Sequence, residues 1–439
     1  MARLQVPTAV PSAVPDHERL GTKTKSNVSS VNPRGVSVNR HPPAVGAVKP
    51  CPGRHSASAG WGNAMQELIL NSYLAYKAGR SFVFANYTWT DDSSLYSDVD
   101  GKKVTSQIPC SVMIRGPSIG DPFPEGAHAP SAVSREYFEQ ICPRKMSISR
   151  EAVQGSLSEP LNAEAITNAW LARLANVQEP CVQAERDSGQ LYDFLDRKAM
   201  LDIWSSLSRS PILTHFGWSS LVELAFDTNR DFFSSPTVLE PYLSGRPYTT
   251  NADRYSMIPG LMVVHVRRGD YEQRCTDLAD WGSTYLAMNS FPDLPDQYSP
   301  PLHGEGLAEV ARVRELVRSH CYPNVQEIVD RVKLVRESPA AQGINRIYVM
   351  SDGDPAFLHE LAVALHHDAP WDSIATSRDV ILNVEQRFIS QAVDMLVGQR
   401  AQVFIGNGFS SHPVLVASGL TLGDEVAITK ISSWAARPL

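Results

Sequence analysis

Two adjacent arginines follow an apolar run and are flanked by a histidine and a carboxylate. The segment places His265, Arg267, Arg268 and Asp270 at the end of a largely β-branched stretch, residues 261–266. Such a stretch is typical of a strand buried on both faces, so the arginines should emerge at the carboxyl edge of a parallel sheet. Open α/β sheets bind ligands at that edge. Because guanidinium groups are always charged and make forked hydrogen bonds, the pair indicates a diphosphate site.

Two simpler interpretations of the arginine pair stay open. Arg267 and Arg268 could form surface ion pairs with Asp270 and Glu272, which would contribute little to stability. The triplet Arg268-Gly269-Asp270 also matches a cell-adhesion signature. A three-letter match is expected by chance, and the position at a strand end accounts for this one better.

A glycine- and serine-rich turn follows a later apolar run. Residues 391–395 open a helical pattern, residues 401–405 read as a strand, and the turn ends with Ser410 and Ser411. Its glycines would let a ligand approach the backbone, and its serines offer hydroxyl and amide donors at what would be the next helix's N-terminus. A serine turn after a strand is also often only a helix cap.

A third apolar run, residues 346–350, ends at a polar turn that contains Ser351 and Asp352. Helical stretches separate the three runs. Strands that alternate with helices and end in polar turns predict an α/β fold with parallel strands.

Together with a glycine- and asparagine-containing segment at residues 59–66, these motifs resemble the fucosyltransferase superfamily, most of all its fungal protein O-fucosyltransferase-like members. The resemblance spans about residues 59–411. It is carried by His-x-Arg-Arg-x-Asp at 265–270, by the strand ending in Ser-Asp at 351–352, and by a Val-Asp-Met helix before Phe-Ile-Gly-Asn-Gly-Phe-Ser-Ser at 404–411. Each motif is moderately specific, but four in this order are hard to obtain by accident.

The resemblance implies an α/β fold of the GT-B-like kind, in which two Rossmann-like domains face a cleft. We expect a disordered tail at residues 1–58, an acceptor-side domain at 59–250, and a GDP-sugar-binding domain with an atypical C-terminal tail at 251–439. The length of 439 residues fits this division because it exceeds what one core normally serves. Helices are expected at residues 63–78, 197–207 and 308–320.

The resemblance also implies an inverting, metal-independent transfer of fucose from GDP-fucose to a hydroxyl group of a protein or glycan. The leaving GDP gains negative charge, which preorganised donors stabilise. Arg267 would bind the β-phosphate, and Arg268 would orient the site or contact the phosphates too. His265 would contact the nucleotide, and Asp394 would accept hydrogen bonds from guanine. The rest of the predicted nucleotide site is Gly62, Asp270, Asp352, Ser410 and Ser411.

The acceptor hydroxyl must lose its proton, and the sequence names no convincing base. Asn63 can orient a hydroxyl but cannot deprotonate one. Glu67 and Asp270 are carboxylates beside the motifs, so each is a candidate general base, with a structural role as the alternative. A strongly dissociative reaction would need no dedicated base.

Three other functions stay open. Asp352 and Asp354 match the Asp-x-Asp pattern with which some glycosyltransferases hold Mn²⁺ against a sugar-nucleotide diphosphate, although Pro355 favours a helix start there. The residues after Ser411 depart from similar fungal sequences, so an inactive relative, a pseudoenzyme or aberrant gene product, is a second alternative. Adhesion through the Arg-Gly-Asp triplet is the third.

Composition bears on partners and compartment. A formal net charge of -7 without a Lys/Arg run argues against nucleic-acid binding. The six cysteines are too dispersed for a zinc ribbon and are compatible with disulfides in a secretory enzyme; Cys275–Cys321 is the preferred pair, and buried thiols are the alternative. The resemblance implies the ER or Golgi lumen, yet the first 58 residues contain no apolar run that would serve as a signal peptide or membrane anchor.

Overall fold

The computed structural model describes most of the chain after residue 59. The described residues are 60–88, 94–99, 102–127, 129–158, 161–185, 192, 198–237, 239–269, 271–292, 294, 298–299, 307–410 and 431–433. The predicted tail at residues 1–58, Asp270 and Ser411 lie outside them.

The described chain contains both α-helices and β-strands. The helices are α1 (Trp61–Lys77), α2 (Arg135–Ile141), α3 (Arg150–Gln154), α4 (Ala163–Ala175), α5 (Trp204–Leu207), α6 (Pro211–Thr214), α7 (Ser220–Phe233), α8 (Asn251–Arg254), α9 (Tyr271–Asp280), α10 (Leu307–Cys321), α11 (Val325–Arg336), α12 (Pro355–Asp368), α13 (Val384–Arg387) and α14 (Ser390–Gln399). The strands are β1 (Val83–Phe84), β2 (Tyr87–Thr88), β3 (Tyr96–Val99), β4 (Lys102–Thr105), β5 (Gln107–Ile108), β6 (Ile114–Arg115), β7 (Val133–Ser134), β8 (Met146–Ile148), β9 (Val182–Ala184), β10 (Gly217–Trp218), β11 (Ile258–Val266), β12 (Arg346–Ser351), β13 (Ser373–Thr376), β14 (Ala401–Gly406) and β15 (Ile431–Ser433).

Five of these strands form one parallel sheet in the order β13-β12-β11-β14-β15. The central strand β11 is the apolar run before the two arginines, and it pairs with both other runs. Val263 lies opposite Tyr348 on β12 and Phe404 on β14. The predicted parallel sheet is therefore confirmed, and the polar turns after β11, β12 and β14 emerge at the same edge.

Helices cover both faces of this sheet because its inner strands are apolar on both sides. Met262 and Val264 pack with Ile328 of α11 and Leu361 of α12 in one hydrophobic cluster. The alternate residue Val263 belongs to a second cluster. In that cluster Tyr348 and Phe404 meet residues of α7 and α14. A near-continuous apolar strand sequence thus corresponds to burial on two faces.

The described strands before α8 pair only in twos. The pairs β1-β7 and β8-β9 are parallel, and β2-β5, β3-β4 and β6-β10 are antiparallel. Helix α1 lies in the core of this region and buries Met65, Tyr73 and Leu74. The division into two Rossmann-like domains is not confirmed by these pairs and stays a prediction.

The predicted helices at residues 63–78 and 308–320 correspond to α1 and α10. In place of the helix predicted at 197–207, a 3-10 helix at Lys198–Ile203 leads into the short α5. Further 3-10 helices lie at Cys110–Val112, Pro117–Ile119, Ala287–Ser290 and Pro339–Ala341. No helix in the described part of the chain is both long and apolar enough to cross a membrane.

Two disulfides join neighbouring elements. Cys275–Cys321 ties α9 to the end of α10, which confirms the preferred pair, and Cys142–Cys181 ties the end of α2 to the start of β9. Cys110 keeps a buried thiol that donates to the Ala85 carbonyl, and burial raises the pKa of this thiol to about 12.

A buried ion pair fixes the segment that leads into β11. Arg254 on α8 donates to both carboxylate oxygens of Glu223 on α7, at 2.6 and 2.7 Å, and also to the Leu243 and Pro247 carbonyls. Tyr255 donates to the same carboxylate at 2.8 Å. Both charged groups are shielded from water, so each compensates the desolvation cost of the other.

We expect Glu223→Ala to lower the free energy of unfolding by about 3–5 kcal/mol, because it leaves the Arg254 guanidinium buried without its carboxylate. Urea denaturation measures this loss. Glu309→Ala breaks the exposed pair with Arg312 and is the matched control, for which no measurable change is expected. Similar behaviour of the two variants would contradict a stabilising role for the buried pair.

Candidate functional site

The carboxyl edge of the five-stranded sheet borders a cavity of about 320 Å³. The ends of β11 and β12, the turns after β13 and β14, the first turn of α1, and α14 contribute to its wall. The lining residues are Gly60, Trp61, Gly62, His265, Arg267, Met350, Ser351, Asp352, Ser377, Ser390, Gln391, Asp394 and Ser410. Segments that are more than 300 residues apart in the sequence therefore meet at one place, and each of the four motifs contributes to it.

Arg267 lies in the turn after β11 and lines the cavity. Its guanidinium forms an ion pair with the Asp352 carboxylate, and the two side chains are 34% and 36% exposed. It also lies 5.5 Å from the centre of the Tyr271 ring. A partly exposed arginine at a strand end can reach an anionic ligand in the cavity, but here it already contacts a carboxylate of the protein.

Arg268 points away from the cavity. Its guanidinium carbon lies 4.3 Å from the centre of the Tyr322 ring and 4.1 Å from that of Phe357, and its Nη2 donates to the Pro323 carbonyl. Burial lowers the pKa of this arginine. Its backbone N–H donates to Asp352 Oδ1 at 2.7 Å. Of the two roles predicted for Arg268, orienting the site agrees with this geometry, whereas its side chain is not among the described groups that line the cavity.

Asp394 on α14 presents a buried carboxylate to the cavity. Tyr348 donates a hydrogen bond to Oδ1 at 2.6 Å, and Ser377 donates to Oδ2 at 2.8 Å. Burial raises the pKa of Asp394 to about 6, although both hydrogen bonds act in the opposite direction. Each oxygen of a carboxylate can accept more than one hydrogen bond. The group is therefore suited to a ligand with two adjacent N–H donors.

The turn after β14 is held by Asn407 of its own motif and by Asn289, which lies outside the sequence motifs. Asn289 donates to the carbonyls of Gly408 and Ser410 at 3.0 and 3.1 Å. Asn407 donates to the Cys321 carbonyl at 2.7 Å, next to the disulfide. A Cβ atom on Gly408 would lie 2.3 Å from the Tyr285 ring, so only glycine fits there. Ser410 thus reaches the cavity from a rigid turn.

The two predicted residues deeper in α1 do not line the cavity. Asn63 is half-buried, and its N–H bonds the Gly60 carbonyl at 3.0 Å. Glu67 is buried, and its Oε1 has no hydrogen-bond partner among the described residues. Burial raises the pKa of Glu67 to about 7. It lies five residues beyond Gly62, about 7.5 Å along the helix axis, so its position gives no support to a role as general base.

The Asp-x-Asp segment is engaged in other contacts. Asp352 pairs with Arg267, and Asp354 caps α12 by accepting from the Phe357 N–H at 2.9 Å. Pro355 is the first residue of that helix, as expected. The described residues contain no group of three or more His, Cys, Asp and Glu side chains arranged for a metal ion. These contacts favour a turn and helix cap over a Mn²⁺ site.

Several lining residues went undetected in the sequence. Trp61 is not one of them, because its aromatic ring is expected from the sequence either to line an acceptor groove or to pack in the core, and it lies in the wall. Ser377 follows β13, a strand of only four residues. Ser390 and Gln391 precede Asp394 on α14. A strand as short as β13 gives too weak a pattern to locate, so the turn after it carried no visible signal. His265, Gly62 and Ser410 also lie in the wall, and their contact with a nucleotide stays a prediction.

Comparison of the chain with known proteins identifies its fold. No family model matches the chain, and no curated protein matches it by sequence. A structure of POFUT1 in complex with GDP-fucose has a TM-score of 0.50 and 16% identity, covering 89% of this chain and 98% of that one. POFUT1 in complex with GDP gives a TM-score of 0.49 and 15% identity over 89% and 98% of the two chains. The chain is therefore a mixed α/β protein that shares its fold with POFUT1.

We expect Glu67→Gln to flatten the pH dependence of stability. The folded-state pKa of about 7 exceeds the ordinary 4.5, so the stabilisation by the protonated acid is complete below 4.5 and is lost as the pH rises through 7. Between pH 5 and pH 8 the wild type should lose about 2–3 kcal/mol of unfolding free energy that the variant retains. Urea denaturation at both pH values tests this. Glu360→Gln, at an exposed site on α12, is the control, and equal slopes for wild type and Glu67→Gln would contradict the expectation.

Proposed function

We propose that this chain is an inverting, metal-independent glycosyltransferase that transfers fucose from GDP-fucose to a hydroxyl group of a protein or glycan. The proposal rests mainly on one observation: Arg267, Asp394, Ser410 and the Gly62 turn line the same cavity. Supporting it is the shared fold with POFUT1, a structure of which contains GDP-fucose. The proposal includes a GT-B-like arrangement, with residues 59–250 on the acceptor side and 251–439 on the donor side.

The donor would lie across the carboxyl edge of the sheet. Its guanine would place two adjacent N–H donors on the Asp394 carboxylate, which Tyr348 and Ser377 hold in position. Its diphosphate would contact Arg267, with Ser410 and the turn before it as hydrogen-bond donors. His265, buried at the end of β11, would contact the nucleotide between these two ends.

In the reaction, the bond between fucose C1 and the β-phosphate oxygen breaks, and its electron pair stays on the oxygen. Arg267 would stabilise the charge that develops there. The acceptor oxygen attacks C1 from the opposite face, which inverts the configuration, and its proton passes to solvent as the bond forms. Asn63 follows Gly62 on α1 and would orient the hydroxyl only if its side chain turned towards the cavity, because it is not among the lining residues. Trp61 offers an aromatic face of the kind that suits a sugar ring.

A GDP-binding relative without transfer activity is the second candidate. Two observations favour it: Arg267 is already paired with Asp352, and Glu67 lies outside the cavity wall in the described structure. Either candidate fits the secretory pathway, because the two disulfides are typical of oxidising compartments.

Calorimetric titration with GDP, UDP and GMP, each with and without EDTA, tests the donor site. We expect GDP to bind more tightly than GMP or UDP, with no effect of EDTA. Arg267→Ala should weaken GDP binding about 10- to 100-fold, because a charge-assisted hydrogen bond contributes about 1.5–3 kcal/mol. Arg314→Ala, which removes an exposed arginine from α10, is the control. Absence of GDP binding by folded protein would refute both candidates, and GDP binding without turnover of GDP-fucose would select the second.

The pH dependence of GDP binding tests the role of Asp394. Only the ionised carboxylate accepts two N–H donors, and its pKa is raised to about 6. Between pH 7.5 and pH 5, we expect the GDP affinity of the wild type to fall about tenfold more than the GDP affinity of Asp394→Asn. Phosphate also titrates near pH 6, but it does so equally for both proteins. Identical pH profiles would exclude the carboxylate from base recognition.

A further inference from the structure

Asp352 shares the cavity wall with the arginine that it neutralises. Its two carboxylate oxygens have different partners. Oδ1 accepts from the Arg268 backbone N–H at 2.7 Å, and Oδ2 pairs with the Arg267 guanidinium. The side chain is 36% exposed, so water can replace either partner. The carboxylate is thus bonded to the backbone through one oxygen and to a partly exposed side chain through the other.

The charges in the wall are unfavourable for a diphosphate as they stand. Besides His265, the described titratable side chains that line the cavity are Arg267, Asp352 and Asp394. One cation faces two carboxylates, and the cation is paired. A diphosphate that arrives beside Arg267 therefore meets a like charge at contact distance, and in a partly desolvated site this repulsion is strong.

The turn that bears Asp352 is rigid, so the residue cannot move away as a whole. Ser351 Oγ donates to the Val266 carbonyl at 2.6 Å and accepts from the Gly353 N–H at 3.0 Å. Gly269 leaves Asp352 Oδ2 uncrowded on its side, because a Cβ atom there would lie 3.3 Å from this oxygen, closer than an ordinary contact. The guanidinium is the part of the pair that can change partner.

We propose that Asp352 is an exchangeable counter-anion of Arg267, a role that rests on the proposed donor site. Asp352 pairs with the Arg267 guanidinium when no diphosphate is bound. The guanidinium pairs with the diphosphate when the donor binds, and it pairs with Asp352 again as GDP leaves. The carboxylate does not bind the nucleotide directly, in contrast to the role predicted from the sequence. Its competition with the diphosphate weakens GDP binding and so promotes release of the product.

Asp352→Asn isolates the charge, because its amide oxygen still accepts from the Arg268 N–H. We expect the variant to bind GDP at least tenfold more tightly than wild type, GMP by a smaller factor, and guanosine unchanged. GDP dissociation in stopped flow should slow by a similar factor. Asp354→Asn removes a charge two residues away, outside the cavity wall, and is the matched control with unchanged nucleotide affinity.

The outcomes separate this inference from the proposed function. Equal or weaker GDP binding by Asp352→Asn, with GDP binding by wild type intact, would overturn the exchange and make Asp352 a residue that positions Arg267. If only the variant binds GDP, the Asp352 carboxylate prevents GDP binding by the wild type, and this outcome would support the exchange. If neither protein binds GDP or guanosine, the donor site itself is refuted and the inference with it. Asp352→Ser removes the same charge and repeats the test if the asparagine variant does not fold.

Discussion

The parallel pairing of β11 with both β12 and β14 determines where the cavity residues lie. His265 lies opposite Met350, and the register brings the ends of β11 and β12 level. Side chains alternate between the two faces of a strand, so a shift by one residue would move each buried side chain of β11 from one hydrophobic cluster into the other, where it would not fit the packing. Burial on both faces of β11 therefore fixes the register, and the register fixes the distance between the turns that bear Arg267, Asp352 and Ser410.

Helix α1 contributes its first turn to the cavity wall. This helix also buries several polar side chains. Gln66, Glu67, Asn71 and Ser72 are all buried and each has at least one polar atom without a hydrogen-bond partner among the described residues. Such groups are rare in stable interiors because their desolvation is not compensated. They follow directly on the turn Gly60–Gly62 that lines the cavity. The helix with these uncompensated groups also contributes Trp61 and Gly62 to the cavity wall, and departures from ideal packing are expected at functional sites.

The sequence predicted those parts of the fold that have a recognisable residue pattern within a short stretch of chain. The apolar runs at β11, β12 and β14 predicted buried parallel strands, and each of their polar turns reached the cavity. The pair Cys275–Cys321 was also identified. The short strand β13 and the pairs of strands before α8 gave no usable pattern, since two to four residues cannot show a period. The contact between Arg267 and Asp352 could not be predicted either, because it depends on a distance between two turns and not on either turn's composition.

The two adjacent arginines in the turn after β11 have different surroundings. Arg267 faces the cavity, whereas Arg268 lies between Tyr322 and Phe357, where its charge is shielded and its backbone N–H holds Asp352. A diphosphate would therefore meet one arginine in the described wall, and further hydrogen-bond donors would have to come from other groups there. The turn after β14 presents the Ser410 side chain rather than its backbone, because the N–H groups of Phe409 and Ser410 already donate to Asn407. Asn289 donates to the carbonyls of Gly408 and Ser410, and Asn407 donates to that of Cys321, so the geometry of this turn is fixed before any ligand arrives.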